Sequence, residues 1–331
     1  MRFRLSVGLL FGSILAIHIS YAQKVTSDIV VVGASVNDGY GGWTTCGVDG
    51  QVYRRPGSGR LTSIMRVSRD GSTSLFALPD GLRPQVFAPA GTGLNILASH
   101  FSRTEGPIFE MYHFDSQANL LAQHPVLIDF GPSEMAITTS GVTIVVGHHP
   151  DDFANRDDWK YGGAVLDADD KVITRFELPL SPGGGGWTFV GPRMAAGDGV
   201  AYVILHSEAG PKPATALATI SESGHIDIKI LPVPPDSDKH HHNEWLFGPG
   251  VAVEEYHYLR ATGGRPRAVS GFDEYDLTLG KRVATKTALP SGFQSGCYLG
   301  DEFSMLAHSA HVDPARHLLP EALRLVTVKL Q

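Results

Sequence analysis

Four segments of the sequence end an apolar run with a histidine, and this repeated position could form a site. The segments are LNILASH, VTIVVGH, VAYVILH and EFSMLAH, which end at His100, His148, His206 and His308. Imidazole titrates near neutral pH, so these side chains could act as general acids and bases. Neutral imidazoles, His148 and His206 first among them, could instead bind a divalent metal ion such as Zn²⁺. Either chemistry requires a fold that brings distant segments together.

A repeated unit of roughly 50 residues contains these segments. Each unit has two hairpins, one of which ends in Leu-Pro in most copies, while His124-Pro125 stands at that place in the second copy. Proline cannot donate a hydrogen bond to a sheet, so it marks the end of a strand. Four short strands per unit at this period predict an all-β, six-bladed β-propeller, with seven blades as the alternative.

The two ends of the chain fit a ring that is closed by its N-terminal strand. The last unit lacks a fourth strand, and residues 27–35 form a strand with no hairpin partner. Pairing the two would remove the exposed sheet edges of an open ring. Cys46 and Cys297 then fall on the first strands of the first and last units, so closure predicts a disulfide between them. Two buried free thiols are the alternative.

Alignment of the units adds further polar residues to the predicted site. The strands that end in histidine in four units end in Arg54 and Arg260 in the other two. The starts of the first strands contribute a second set, namely Gln85, Glu134, Arg193, Glu244 and Gln294. In a propeller both sets open on one face, around the central channel. Glu134 and Glu244 could support catalysis, and Arg54, Arg193 and Arg260, with Gln85 and Gln294, could hold a carboxylate or another anion.

The N-terminus and the composition indicate an exported protein. Residues 1–22 combine a short basic start, an apolar run and Ser20-Tyr21-Ala22, which is typical of a signal peptide. We expect residues 23–331 to form a single propeller domain, secreted or periplasmic, monomeric and not embedded in a membrane. The net charge is −7 and basic clusters are absent, so we expect no nucleic-acid partner.

One unit resembles a known family of repeats. Matching residues are Ile64, Arg66, Val67, Asp70, Gly71, Leu78, Pro79 and Pro84. Together they resemble the repeat of the streptogramin lyase (virginiamycin B lyase) group and of NHL-type propellers. The resemblance implies a propeller fold. It does not carry over a catalytic set, because Leu97-Ala98-Ser99-His100 stands where the family repeat ends in Trp-Phe-Thr-Glu.

Two classes of function fit these observations. The first is a lyase or hydrolase that acts on a small polar or anionic substrate, with the histidines and the two glutamates as its catalytic groups. The second is a non-catalytic propeller of the cell envelope, which would bind a ligand or a protein through the same face. The density of polar residues favours the enzyme, and the absence of a known catalytic motif favours the binding module.

Overall fold

The fold is described by a computed structural model that covers most of the chain. It describes residues 24–34, 44–47, 50–56, 62–102, 104, 106–148, 161–187, 194–207, 214–231, 244–248, 250–262, 265–287, 293–299, 302–309 and 322–329. Between residues 244 and 329 this description covers the backbone and only some of the side chains. The predicted signal peptide, residues 1–22, lies outside the described residues. The described part contains no helix long and apolar enough to cross a membrane.

The strands form six antiparallel sheets of four strands each, and each sheet is one blade. Blade 1 consists of β2 (Thr44–Cys46), β3 (Val52–Arg54), β4 (Ser63–Val67) and β5 (Thr73–Ala77). Blade 2 consists of β6 (Arg83–Ala90), β7 (Gly93–Ser102), β8 (Gly106–Phe114) and β9 (Leu120–Val126). Blade 3 consists of β10 (Gly131–Ile137), β11 (Thr143–His148), β12 (Tyr161–Leu166) and β13 (Val172–Glu177).

The second half of the chain continues this pattern and ends with a composite blade. Blade 4 consists of β14 (Met194–Ala196), β15 (Val200–Ser207), β16 (Ala214–Ser221) and β17 (Ile226–Ile230). Blade 5 consists of β18 (Glu244–Gly248), β19 (Val251–Thr262), β20 (Arg265–Asp276) and β21 (Lys281–Thr287). Blade 6 consists of β22 (Phe293–Leu299), β23 (Glu302–Ser309), β24 (Ala322–Lys329) and the N-terminal strand β1 (Lys24–Val30).

The blades form a closed ring around their first strands. Each first strand contacts the first strand of the next blade, in the order β2, β6, β10, β14, β18, β22 and back to β2. The predicted six-bladed propeller is therefore confirmed. Each first strand begins, and each second strand ends, at one end of the ring, which we call the ring face. The turns between third and fourth strands lie at the opposite end, which we call the turn face.

Strand β1 closes the ring, as the sequence predicts. It pairs with β24 along its length, and Nε of Arg324 donates a 2.6 Å hydrogen bond to Oδ1 of Asp28. The strand ends at Val30, earlier than the predicted residue 35. The reason is that the next residues cross to the neighbouring blade, where the amide of Val32 donates to the carbonyl of Gly71 in blade 1.

Both faces of the blades are buried between neighbours, which explains the continuous apolar runs of the second strands. In β7, Leu94 and Ile96 pack with residues of blade 1, whereas Leu97 packs with residues of blade 3. The fourth strands lie at the outer edge of the ring and alternate between exposed and covered residues, as in β13. The apolar core is therefore divided into layers between blades.

Hairpin turns at the turn face are held by side-chain hydrogen bonds. Oδ1 of Asp115 accepts from the amides of Gln117 and Asn119, each at 2.8 Å. Hydrogen bonds from Asn119, first from its side chain, lower the pKa of the Asp115 carboxyl. In blade 1 the side chain of Ser72 lowers the pKa of Asp70 in the same way. These turns are local structures that the sequence specifies well.

A disulfide joins the first and last blades. Cys46 on β2 and Cys297 on β22 are bonded, with their Cα atoms 5.4 Å apart and a sequence separation of 251. The predicted pairing is confirmed, and the alternative of free thiols is wrong. The bond crosses the interface between blade 1 and blade 6, the blade in which the two ends of the chain pair, so it links the first blade to the last.

We expect the double variant Cys46→Ala plus Cys297→Ala to lose about 2–4 kcal/mol of unfolding free energy, because the unfolded chain loses its cross-link. Urea unfolding followed by the fluorescence of the buried Trp187 measures the change. Wild-type protein unfolded in reductant should match the double variant. Equal stability of the variant and the oxidised wild type would contradict the expectation.

Candidate functional site

The described ladders place several of the predicted site residues at the ring face. In blade 3, Gly131 at the start of β10 pairs with His148 at the end of β11. In blade 1, Thr44 pairs with Arg54. Because every blade has the same strand order and contacts the next around the ring, the corresponding ends of all blades lie on one side. The expectation that these distant segments meet at one end of the molecule therefore agrees with the backbone.

Three of the four histidines occupy the same ladder position. Two residues before each of them, a buried aliphatic side chain packs with residues of the following blade. The aliphatic residues are Val146, Ile204 and Leu306, and the histidines are His148, His206 and His308. In blade 2 the matching aliphatic residue is Leu97, so Ser99 takes the histidine position. Blades 3, 4 and 6 thus present histidine at equivalent points of the ring face.

His100 and Arg54 lie on the other side of their strands. Successive residues of a strand point to opposite faces, and His100 is one residue beyond the matching position. Arg54 follows Tyr53, which packs with residues of blade 2, so Arg54 lies on the opposite side and is only 1% exposed. The sequence alignment used the last residue of each apolar run and ignored which residues pair in the ladder. It therefore put His100 and Arg54 at the same position as His148, although they lie on the opposite side of the strand. The six strand-closing residues do not share one register.

Arg260 lies further along its strand than the other strand-closing residues, beyond the ring face. In blade 5 the first residue of β18, Glu244, pairs with Glu255. Arg260 is further along β19 and pairs with Arg267 on β20. At about 3.4 Å per residue, the separation from Glu255 is roughly 17 Å. The β19–β20 hairpin therefore extends beyond the ring face, and Arg260 belongs to this extension.

Bulges in the first strands bring polar residues against the ends of the second strands. In blade 2, Gln85 lies in a bulge, and its Nε2 donates a 2.8 Å hydrogen bond to Oγ of Ser99. In blade 3, Ser133 lies in the matching bulge, with its Oγ 3.4 Å from Nδ1 of His148. Glu134 follows that bulge and is 9% exposed. Bulges commonly redirect side chains at functional sites.

Hydroxyl groups lie beside the rings of His148 and His206 at this face. Nδ1 of His148 is near Ser133, and the ring centroid lies 6.3 Å from that of Tyr161. Nδ1 of His206 is 3.3 Å from Oγ1 of Thr215 on β16. Both histidines are half-buried. A hydroxyl at one ring nitrogen orients an imidazole, which suits a group that transfers protons or binds a ligand.

Several predicted site residues are described in part or not at all. Arg193 lies outside the described residues. For His308, Glu244, Arg260 and Gln294 the described part is the backbone, which places Gln294 in the bulge of β22 between Phe293 and Gly296. Their proposed roles in catalysis and substrate binding stay predictions.

The structure brings together a different set of metal-binding side chains. Among the described residues, the group whose ligand atoms all lie within 4.8 Å of one another is His113, His124 and Asp170. His148 and His206 do not form such a group with other described residues, so a metal ion bound by this pair stays a prediction. The members of this cluster lie outside the strand ends that the repeat alignment assigns to the site, so the sequence pattern does not predict it.

Comparisons with known proteins support the fold and go no further. No family model matches the sequence, and no curated protein matches it. A luciferin-regenerating enzyme is similar in structure, with a TM-score of 0.50, 8% sequence identity, and coverage of 92% of this chain and 96% of that one. The endosialidase of phage phi92 also has a TM-score of 0.50, with 10% identity, 92% coverage of this chain and 69% of that one.

We expect Gly131→Ala to disturb the ring of His148 selectively. An added Cβ would lie 3.0 Å from Cε1 and 3.1 Å from Nε2 of His148, so the ring must move. Histidine ring signals in NMR spectra should shift for His148 and stay constant for His206, which lies in the next blade. Unchanged His148 signals would contradict the described geometry.

Proposed function

We propose that this protein is an exported six-bladed β-propeller that acts on a small polar or anionic substrate at its ring face, by elimination or hydrolysis. In this proposal residues 1–22 are a signal peptide and residues 23–331 form one propeller domain. The catalytic groups are the histidines of the ring face, with His148 and His206 as the pair on adjacent blades. The substrate would approach the end of the channel, where the first strands begin.

The observation that carries the proposal is the shared register of His148, His206 and His308. One histidine at a strand end is common in a solvated channel. Three at the same ladder position, with backbones on blades 3, 4 and 6, surround one opening with groups that can gain and lose protons near neutral pH. Elimination and hydrolysis both need such an acid and base.

Neighbouring polar groups could bind and orient the substrate. Gln85 and Ser99 in blade 2, and Ser133 in blade 3, lie at the matching places beside the first and second strands. Arg193 and Arg260 supply positive charge in the proposal, which suits a carboxylate or another anion. Glu134 and Glu244 would act as supporting carboxylates. An elongated hairpin in blade 5 would form one wall of the binding site.

An oxidising compartment is supported by the disulfide. Disulfides persist in secreted and periplasmic proteins and are rare where thiols are kept reduced. The Cys46–Cys297 bond, with Cys297 fully buried, therefore suggests such a compartment. We propose that the protein is secreted or periplasmic and monomeric. Within propellers, we propose that this chain belongs to the group of streptogramin lyases and NHL-type repeats. The matching residues lie between Ile64 and Pro84, from β4 to the start of β6.

A non-catalytic ligand-binding propeller of the cell envelope is the second candidate. It is favoured by the burial of two charged side chains that the sequence pattern assigns to the site. Glu134 is 9% exposed and Arg54 is 1% exposed. Buried charges usually have partners within the protein, so these groups would then stabilise the ring rather than contact a substrate.

We expect the double variant His148→Ala plus His206→Ala to weaken the binding of small carboxylates and phosphates at least about tenfold. The reason is that the bound anion loses its charge-assisted hydrogen bonds from the two imidazoles. A panel of such molecules can be screened by thermal shift with the mature protein. Mass spectrometry of incubated ligands then identifies the reaction. Hydrolysis adds one water to the substrate, elimination splits it without adding water, and an unchanged ligand identifies a binding module.

His225→Ala is the matched control for this experiment. His225 is an exposed histidine in the turn between β16 and β17, at the turn face of blade 4. Its removal should leave binding and turnover unchanged. If the control and the double variant behave alike, or if no ligand of the panel binds, the proposed site is wrong.

A further inference from the structure

A second polar cluster lies between blades 2 and 3, toward the turn face. Nε2 of His113 on β8 is 2.6 Å from Oδ2 of Asp170, and Nδ1 of His124 on β9 is 2.8 Å from the same oxygen. The two imidazole centroids are 5.4 Å apart. Asp170 belongs to the turn between β12 and β13. Two imidazoles of blade 2 therefore share one carboxylate oxygen of blade 3.

The two histidines occupy positions that are apolar in the next blade. Across the sheet of blade 2, Leu97 pairs with Met111, which pairs with His124. The corresponding row in blade 3 runs from Val146 through Gly163 to Phe176, so His124 corresponds to Phe176. By the same register His113 corresponds to Val165. The sequence alignment that placed His124 at the leucine of Leu-Pro was therefore wrong by two residues. Blade 2 has imidazoles where blade 3 has an aliphatic and an aromatic side chain.

Asp170 is also unusual for its position. Its amide donates to the carbonyl of Asp167, as that of Gly71 donates to Ser68 and that of Gly224 to Ser221, so the three turns are equivalent. The two glycines have φ near +80°, and a Cβ at either would lie within 2.8 Å of the preceding blade. Asp170 adopts φ of 60° with a side chain, and that side chain is 1% exposed. Ala118 at the equivalent place in blade 2 also has a positive φ of 65°, so the burial of the Asp170 carboxyl, rather than its backbone angle, sets this turn apart.

This arrangement has the donor set of a metal site. A buried carboxylate that is shared by two imidazole nitrogens offers two nitrogen ligands and one oxygen ligand. Nitrogen and carboxylate oxygen together suit zinc and other transition metals of intermediate softness, whereas calcium and magnesium prefer oxygen alone. The side chains of His113 and His124 are 20% and 36% exposed, so an ion could enter from solvent.

We propose that His113 Nε2, His124 Nδ1 and Asp170 Oδ2 bind one Zn²⁺ ion, which links blade 2 to blade 3. Binding would replace the two hydrogen bonds to Oδ2. The proton on each ligand nitrogen would move to the other ring nitrogen of a neutral imidazole, or to solvent from a doubly protonated one. Tetrahedral bonds of about 2.0–2.1 Å separate ligand atoms by roughly 3.3 Å, so the His113 contact would lengthen by about 0.7 Å and the His124 contact by about 0.5 Å. Water would complete the coordination. This site is separate from the ring face and does not depend on its proposed function.

The test uses the mature, untagged protein after treatment with EDTA, with Zn²⁺ alone as the probe. Isothermal titration should find one Zn²⁺ per chain, and the midpoint of thermal unfolding should rise by a few degrees at saturating Zn²⁺. Asp170→Asn removes the anionic ligand while keeping its shape and should weaken binding at least about tenfold. Asp169→Asn is the matched control, because Asp169 is in the same turn and 72% exposed, and it should bind as the wild type does.

A second variant keeps the test decisive if Asp170→Asn folds poorly. The triple variant His113→Val, His124→Phe and Asp170→Gly copies the residues of equivalent positions in other blades, so it should fold and bind no Zn²⁺. The ring-face variant His148→Ala plus His206→Ala should keep the ion. No Zn²⁺ binding by the wild type, equal binding by the triple variant, or loss of binding in the ring-face variant would each overturn the proposal.

Discussion

Burial of both faces of the blades is the constraint on which this structure depends. A four-stranded sheet of this size has two apolar sides, and its neighbours in the ring cover both. The layers between blades contain the large apolar side chains, such as Phe76 between blades 1 and 2 and Val203 between blades 3 and 4. If the ring were open between two blades, the apolar faces of both blades at the gap would be exposed to solvent. Closure by β1 and the Cys46–Cys297 bond therefore stabilises all six interfaces together.

Architecture could be predicted from the sequence because its signals are local and repeated. Turn residues such as Asp70-Gly71, apolar runs and terminal prolines recur at a regular spacing, and any blade can be recognised from a few of them. The disulfide followed from topology alone, since Cys46 and Cys297 can meet only in a closed ring. Each of these inferences tolerates an error of one or two residues in the alignment.

Site geometry could be predicted less well because it does not tolerate such errors. A shift of one residue moves a side chain to the opposite face of a strand, which separates His100 from His148 although both end an apolar run. The sequence pattern also does not predict bulges or hairpin length. The repeat alignment therefore matched Glu134 with Gln85, although Ser133 is the residue in the equivalent bulge. The cluster at Asp170 was missed because its members come from two repeats and from a turn that reads as an ordinary loop.

The pairing of β1 with β24 has a consequence for biogenesis. Synthesis proceeds from the N-terminus, so the strand made first must wait for the strand made last. Blades 1 to 5 each consist of consecutive segments and can assemble as they emerge, whereas blade 6 needs both termini. A truncated or stalled chain would retain an unpaired β1 and an open interface on blade 1. Emergence of β24 is therefore the step that permits the native topology.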